Sequence, residues 1–276
     1  MAFSVNTNAG AFAALQNLSL TNQALNKTQT QINTGLKVAS AKDNAAVYSI
    51  AQKLRGDVSG LNAVKSSLDR ASSTLDVAIA AGEAVSDLLI QLKEKAVAAK
   101  DAGLDTASRS SLNDDFKQLR DQITSIVQNA SFNGTNVVDG STANGVIAIT
   151  NANGSNTITV AAQDLSLSGS IVTLSSTATI STATTAAAAV TKIDASITKV
   201  NTSLSALGSG SKRIDLQKTF VGKLSDSIEV GIGNLVDADL AKTSANLQSL
   251  QVKQQLGLQA LSIANQAPST VLSLFR

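Results

Sequence analysis

Between Val47 and Ala99 apolar residues return alternately every three and four positions, and nothing else in the 276-residue sequence limits the fold as strongly. The series runs Val47, Ile50, Leu54, Asp57, Leu61, Val64, Leu68, Ala71, Leu75, Ala78, Gly82, Val85, Leu89, Leu92, Ala96 and Ala99, and only Asp57 and Gly82 interrupt it. A period of 3.5 sustained this long requires one extended helix seamed against partner helices. Val47, Ile50, Leu54, Leu61, Leu68, Leu75, Leu89 and Leu92 are the expected rod seam. Gly103 stands where a C-cap is expected. Ser111 and Asp114 have capping-box spacing before a second stripe of Leu112, Phe116, Leu119, Ile123 and Ile126.

Both ends carry weaker seams of the same kind. The first is Ala11, Leu15, Leu18, Asn22, Leu25, Gln29, Ile32 and Leu36, with Gly35 marking a break. Val190, Ile193, Ile197, Val200, Leu204 and Leu207 form a clean stripe in the second half, resumed by Leu224 and Ile228. Gly208 and Gly210 predict an interruption between these two runs. A last helix follows Leu240, Leu247, Leu250, Leu261 and Ala264 to Pro268, which is expected to end it. An apolar tail of Val271, Leu272, Leu274 and Phe275 comes after the proline.

Between the helical halves the period falls to two. Asn144-Gly145 and Asn153-Gly154 flank β-rich runs, and Gly169-Ser170 repeats the pattern. These signals predict a small β-hairpin or meander, mostly exposed. The expected fold is mainly α: a long coiled-coil-like helical bundle, its N- and C-terminal helices paired, with a small β insertion. The expected divisions are a terminal paired-helix domain (1–36 and 236–276), a helical rod (37–130 and 186–235) and a variable Ser/Thr-rich region (131–185).

Charge is distributed unevenly. The net charge is only +2, residues 1–26 and 254–275 carry no charge, and 141–191 carry only Asp164. No basic stripe is present for tracking phosphates, so nucleic acid is not an expected partner. The uncharged ends are interrupted throughout by Asn, Gln, Ser and Thr, so membrane insertion is not expected either. The first residues also lack the cationic and apolar stretches of a cleaved signal peptide.

The sequence has no histidine, cysteine or tryptophan, which removes imidazole and thiolate metal sites and Ser-His-Asp triads. Asp237 and Asp239 read more simply as acidic residues in the first turn of a helix than as metal ligands. Ser209 and Lys212 have Ser-x-x-Lys spacing without any supporting motif, and Tyr48 borders the heptad seam. No catalytic residue, cofactor or metal is expected.

The uncharged, narrow-striped ends remain to be explained. Two such helices paired with one another leave most of their surface uncovered. If identical chains stack through these ends, any charge there would be buried beside its own copies, whereas neutral amides avoid that cost and still hydrogen-bond. A heterologous contact between identical chains propagates as a ring or helix. The expected self-assembly core is Leu15, Leu18, Leu25, Ile32, Leu240, Leu247, Leu250, Leu261, Leu272, Leu274 and Phe275.

The stretches "NTNAGAFAALQNLSLTNQAL", "INTGLKVASAKDNAA" and "LQSLQVKQQLGLQALSIANQAPSTVLSLFR" resemble bacterial flagellin. The resemblance covers roughly residues 1–130 and 185–276. It departs from the family pattern at Gln31 and Ile32, and at Gln91 where many members carry arginine. It implies a secreted structural subunit of the extracellular flagellar filament. It also implies export through the flagellar type III apparatus, a chaperone on the C-terminal end, and contacts with cap and hook-associated proteins. The family's rod implies one continuous helix through 190–230. Two rivals share parts of the pattern: a hook–filament junction protein and a cytoplasmic coiled-coil signalling module.

Overall fold

The computed structural model describes residues 7–273. Its helices are α1 (Ala9–Thr34), α2 (Ala45–Ala99), α3 (Thr106–Asn129), α4 (Ala183–Val236) and α5 (Leu240–Ser273). Two antiparallel hairpins lie between α3 and α4: β1 (Ser131–Phe132) with β2 (Thr135–Asn136), and β3 (Val146–Ile149) with β4 (Thr157–Val160). The fold is mainly α with a small β insertion, as the heptads and the change of period indicate. It divides into a terminal unit, up to Gly56 and from Ser227 onward, and a central unit, Asp57–Asp226.

In the central unit the heptad of α2 is the core. Leu61, Val64, Leu68, Leu75, Val85, Leu89 and Leu92 are all buried. Each fully buried leucine contributes about 2 kcal/mol through its apolar area. The facing stripe of α4, Ile193, Val200, Leu207, Ile214 and Val221, is buried too, and α3 adds Phe116, Ile123 and Val127. The two long helices run antiparallel, because Lys93 pairs with Asp194 and Lys218 with Asp69. Gly82 interrupts the apolar series for a packing reason: a Cβ there would lie 2.7 Å from Leu204 Cδ2.

The break expected at Gly208 and Gly210 does not occur; α4 is one helix throughout. Gly210 occupies a buried seam position, and a Cβ on it would lie 2.5 Å from Val160 Cγ1. Close approach of β4, not chain reversal, accounts for that glycine. The helix boundaries also differ locally from expectation. The α2 helix ends at Ala99, where Arg109 donates to the carbonyls of Ala99 (3.0 Å) and Asp101 (2.6 Å), so Gly103 is not its cap. The N-cap of α3 is Asp105, whose carboxylate accepts the Ser108 amide at 2.9 Å, and Ser111 falls inside the helix. The Ser108 amide and hydroxyl hold the Asp105 carboxyl below the usual carboxylate range.

The insertion is less exposed than its composition suggests. The β3–β4 hairpin docks on both long helices: the Ile149 amide donates to Ser67 Oγ at 3.3 Å, and Gln217 Nε2 donates to the Thr150 carbonyl at 3.3 Å. Among the described residues, 161–182 contain no strand, so the hairpin expected around Gly169-Ser170 is absent. The alternating Leu165, Val172 and Leu174, together with Ile180, are buried instead and hold an irregular chain in place. Its backbone is satisfied by helix side chains: the Ile180 amide by Asn113 Oδ1 (2.8 Å) and the Thr173 amide by Ser196 Oγ (2.9 Å). The turn at Asn153-Gly154 is clear of these contacts, both residues being exposed and Gly154 having φ 71°. Four to six small polar residues inserted there should leave the melting temperature and polymerisation of the protein unchanged, since loop lengthening costs about 0.6 kcal/mol per doubling. Loss of polymerisation in such a variant would show that the turn itself is an assembly contact.

Candidate self-assembly surface

In the terminal unit α1 and α5 form an antiparallel pair. Asn8 Nδ2 donates to the Ala264 carbonyl at 2.6 Å, and Gln254 Nε2 donates to Asn22 Oδ1 at 2.7 Å. Between these bonds Leu18 lies so close to Gly257 that a Cβ there would be 3.4 Å from its Cδ1. The crossover segments join the far end. Gly35 at φ 71° stops α1, the Lys37 amide donates to Val236 (2.8 Å), and the Ala238 amide donates to Gly35 (2.8 Å). Leu36 and Asp237 form an antiparallel bridge.

The covered positions are small or polar as often as they are large. On α1, Ala11, Leu25 and Thr28 are buried, and Ala14, Leu18, Asn22 and Ile32 half-buried. On α5, Thr243 is buried, and Leu247, Leu250, Gln254, Gly257, Leu261 and Ala264 are half-buried. Leu15 and Gln29, placed in the seam by sequence, are exposed, and Ala14 and Thr28 take their positions; Leu240 is exposed as well. In α2 the same substitution occurs at Ile50, which is 52% exposed while Ala51 is fully buried. A close helix contact accepts the small neighbour and turns the large side chain outward. Leu272 is described only as helical backbone, and Leu274 and Phe275 lie outside the described residues. Pro268 does not end α5, which continues to Ser273; the missing N–H costs one ladder bond without stopping the helix.

The outer faces of this pair define the site. Phe12, Leu15, Leu20, Val252, Leu256 and Leu258 are exposed, and Ile263 is 70% exposed. No charge interrupts them over 9–26 or 254–266. Apolar surface this extensive marks a protein contact.

The other candidates resolve into structure. Asp239 Oδ1 accepts the Lys242 amide at 3.0 Å, opening α5 as its dipole favours. Ser209 and Lys212 lie within the unbroken α4, and Tyr48 is half-buried. Among the described residues there is no cluster of acidic ligands able to hold a metal, and no helix is long and apolar enough to cross a membrane.

Residues 5–143 match the family model of the bacterial flagellin N-terminal helical region, and residues 190–275 match that of the C-terminal helical region. The chain belongs to the bacterial flagellin family. This flagellin is 52% identical over 273 residues to flagellin FljK of Caulobacter vibrioides, covering 99% of this chain and 98% of the relative. It is 37% identical over 281 residues to a flagellin of Brucella melitensis, covering 99% of both. Among solved structures it resembles a putative flagellar hook-associated protein from Vibrio parahaemolyticus. That likeness has a TM-score of 0.59 at 14% identity and covers 71% of this chain and 100% of the other, so it bears on the fold alone. Full-length identity to flagellins places this chain with filament subunits. As a flagellin it self-assembles into the extracellular flagellar filament and is a structural protein, not an enzyme.

Proposed function

We propose that the terminal segments, 1–36 and 236–276, form the core of the filament, where neighbouring copies cover the outer faces of α1 and α5. The observation that carries this reading is the run of exposed apolar side chains on uncharged stretches of two helices, from Phe12 to Leu20 and from Leu256 to Ile263. The residues pairing α1 with α5, Leu18, Leu25, Ile32, Leu247, Leu250 and Leu261, form the inner layer of that core. Leu15 and Leu240 belong to its outer layer, and the tail with Leu272, Leu274 and Phe275 extends it. Segments 37–130 and 186–235 form the rod, seamed by Val47, Leu54, Leu61, Leu68, Leu75, Leu89 and Leu92, and 131–185 is the variable region carried on it.

The chain reaches the cell exterior through the flagellar type III export apparatus, with an export chaperone on its C-terminal segment and cap and hook-associated proteins as further partners. Membership of the flagellin family supports this route. In a strain lacking the apparatus, the chain should be missing from the medium.

The core assignment predicts that α1 and α5 are weakly held before assembly. Ordering a residue costs on the order of 1–2 kcal/mol in backbone entropy, and a seam containing Asn22, Thr28, Gln254 and Gly257 offsets little of it. Hydrogen exchange on the free protein should show fast exchange over 9–34 and 240–266, becoming strongly protected on polymerisation. Strong protection of these amides before polymerisation would contradict the assignment.

A further inference from the structure

The central unit carries two exposed stripes of opposite charge, neither used by the fold. On α2, Asp76, Glu83, Asp87, Ile90, Glu94 and Val97 are all exposed and follow a 3.5-residue period on the side away from the buried seam. On α4, Lys212, Arg213, Leu216, Phe220, Lys223 and Leu224 are exposed along one face, with Leu216 at 72%. Among the described residues, no charged group of either stripe takes part in an ion pair. Of the neighbouring charges, Lys93 pairs with Asp194, Lys95 with Asp115 and Lys218 with Asp69, while Asp215 and Asp226 stand exposed at the margin of the basic stripe. Carboxylates thus surround Ile90 on α2, and three cations against two marginal carboxylates surround Leu216 and Phe220 on α4.

The two stripes have matching dimensions. Glu83 and Glu94 are eleven residues apart, as are Lys212 and Lys223, which is about 16 Å along a helix. Ile90 lies between the first pair, and Leu216 and Phe220 lie between the second. They do not meet within one chain. The Lys218–Asp69 and Lys93–Asp194 contacts fix the antiparallel register of α2 and α4. In that register the centre of the basic stripe stands opposite residues near Asp69, which is about nineteen residues, or roughly 28 Å, from the centre of the acidic stripe.

We propose that the basic–apolar stripe of α4 docks on the acidic–apolar stripe of α2 in a second copy of this chain, displaced axially by about 28 Å. Because the two patches differ and lie at different levels, the contact is heterologous and leaves a free patch at each end, so it propagates. Complementary charge sets the register, and Ile90, Leu216 and Phe220 supply the apolar centre. The pairing rests on the filament reading above and names the surfaces through which the central units meet.

Charge reversal tests it. Glu83→Lys with Glu94→Lys, and separately Lys212→Glu with Lys223→Glu, should leave the helical melt of the protein unchanged because all four residues are exposed. Each pair should raise the concentration needed for polymerisation at least about tenfold by placing like charges together. The chain with all four substitutions should return to within about threefold of the natural value, since complementarity is restored with the signs exchanged. Polymerisation of either two-substitution variant at the natural concentration, or failure of the four-substitution chain to recover, would overturn the pairing. Failure of the natural chain to polymerise in the same assay would instead overturn the filament reading beneath it.

Discussion

Replacing Leu256 and Ile263 together by aspartate should leave the free protein folded with its normal melting temperature and abolish filament growth. Both side chains are largely exposed on α5, so the isolated chain loses no buried contact. Surface substitutions of this kind usually change stability by no more than about 0.5 kcal/mol each. In the filament core both carboxylates would be desolvated against apolar neighbours; 254–266 and 9–26 carry no cation, and only Lys253 lies within a turn of position 256. An unpaired buried charge costs several kcal/mol, and the repeat places it in every copy. At about 1.4 kcal/mol per tenfold in concentration, the two together move assembly beyond attainable protein concentrations. Sedimentation and electron microscopy of concentrated protein are the measurements. Filaments of normal length and abundance would show that this face of α5 is not covered in the assembly.

Leu68→Asp should have the opposite profile, destabilising the central unit of the free chain itself. Leu68 is fully buried in the middle of the α2 heptad, between Val64 and Ala71. The substitution removes about 2 kcal/mol of apolar burial and places a carboxylate where no partner is available, for a total of about 4 kcal/mol or more. In a domain of this size that lowers the melting temperature by roughly 10 °C. Thermal unfolding followed by circular dichroism measures it directly. An unchanged melt would mean that Leu68 does not face the core.

Sequence periodicity located all the long helices, because a sustained 3.5 repeat has no other stable use. It was less reliable in choosing between neighbouring residues. At Ile50 and Ala51, and again at Leu15 and Ala14, the larger apolar residue scored as the seam while the smaller one is covered. Close helix packing selects for size as well as hydropathy, and hydropathy alone does not register size. Gly210 misled for a related reason: a glycine that admits a neighbouring strand has the same one-letter signature as one that breaks a helix. The alternation of Leu165, Val172 and Leu174 has the pattern of strands, yet their burial is met by irregular chain whose amides are bonded to Asn113 and Ser196. Those two partners are far away in sequence, so no local rule would find them. The acidic stripe of α2 was legible as a second 3.5 repeat, but its charges hid it from a search for apolar residues.

The joint between Leu36 and Asp237 acts as a datum for the terminal pair. The seam of leucine, alanine, threonine and neutral amides contains no ion pair among the described residues, so charge does not set its register. The main-chain bonds from Lys37 to Val236 and from Ala238 to Gly35 do not depend on side-chain identity, and they fix where both helices begin. Alignment is thus imposed from one end, and the Asn22–Gln254 and Asn8–Ala264 contacts need only hold it along the pair. Their outward residues can then vary to suit neighbouring molecules without endangering the match between the two helices of the pair.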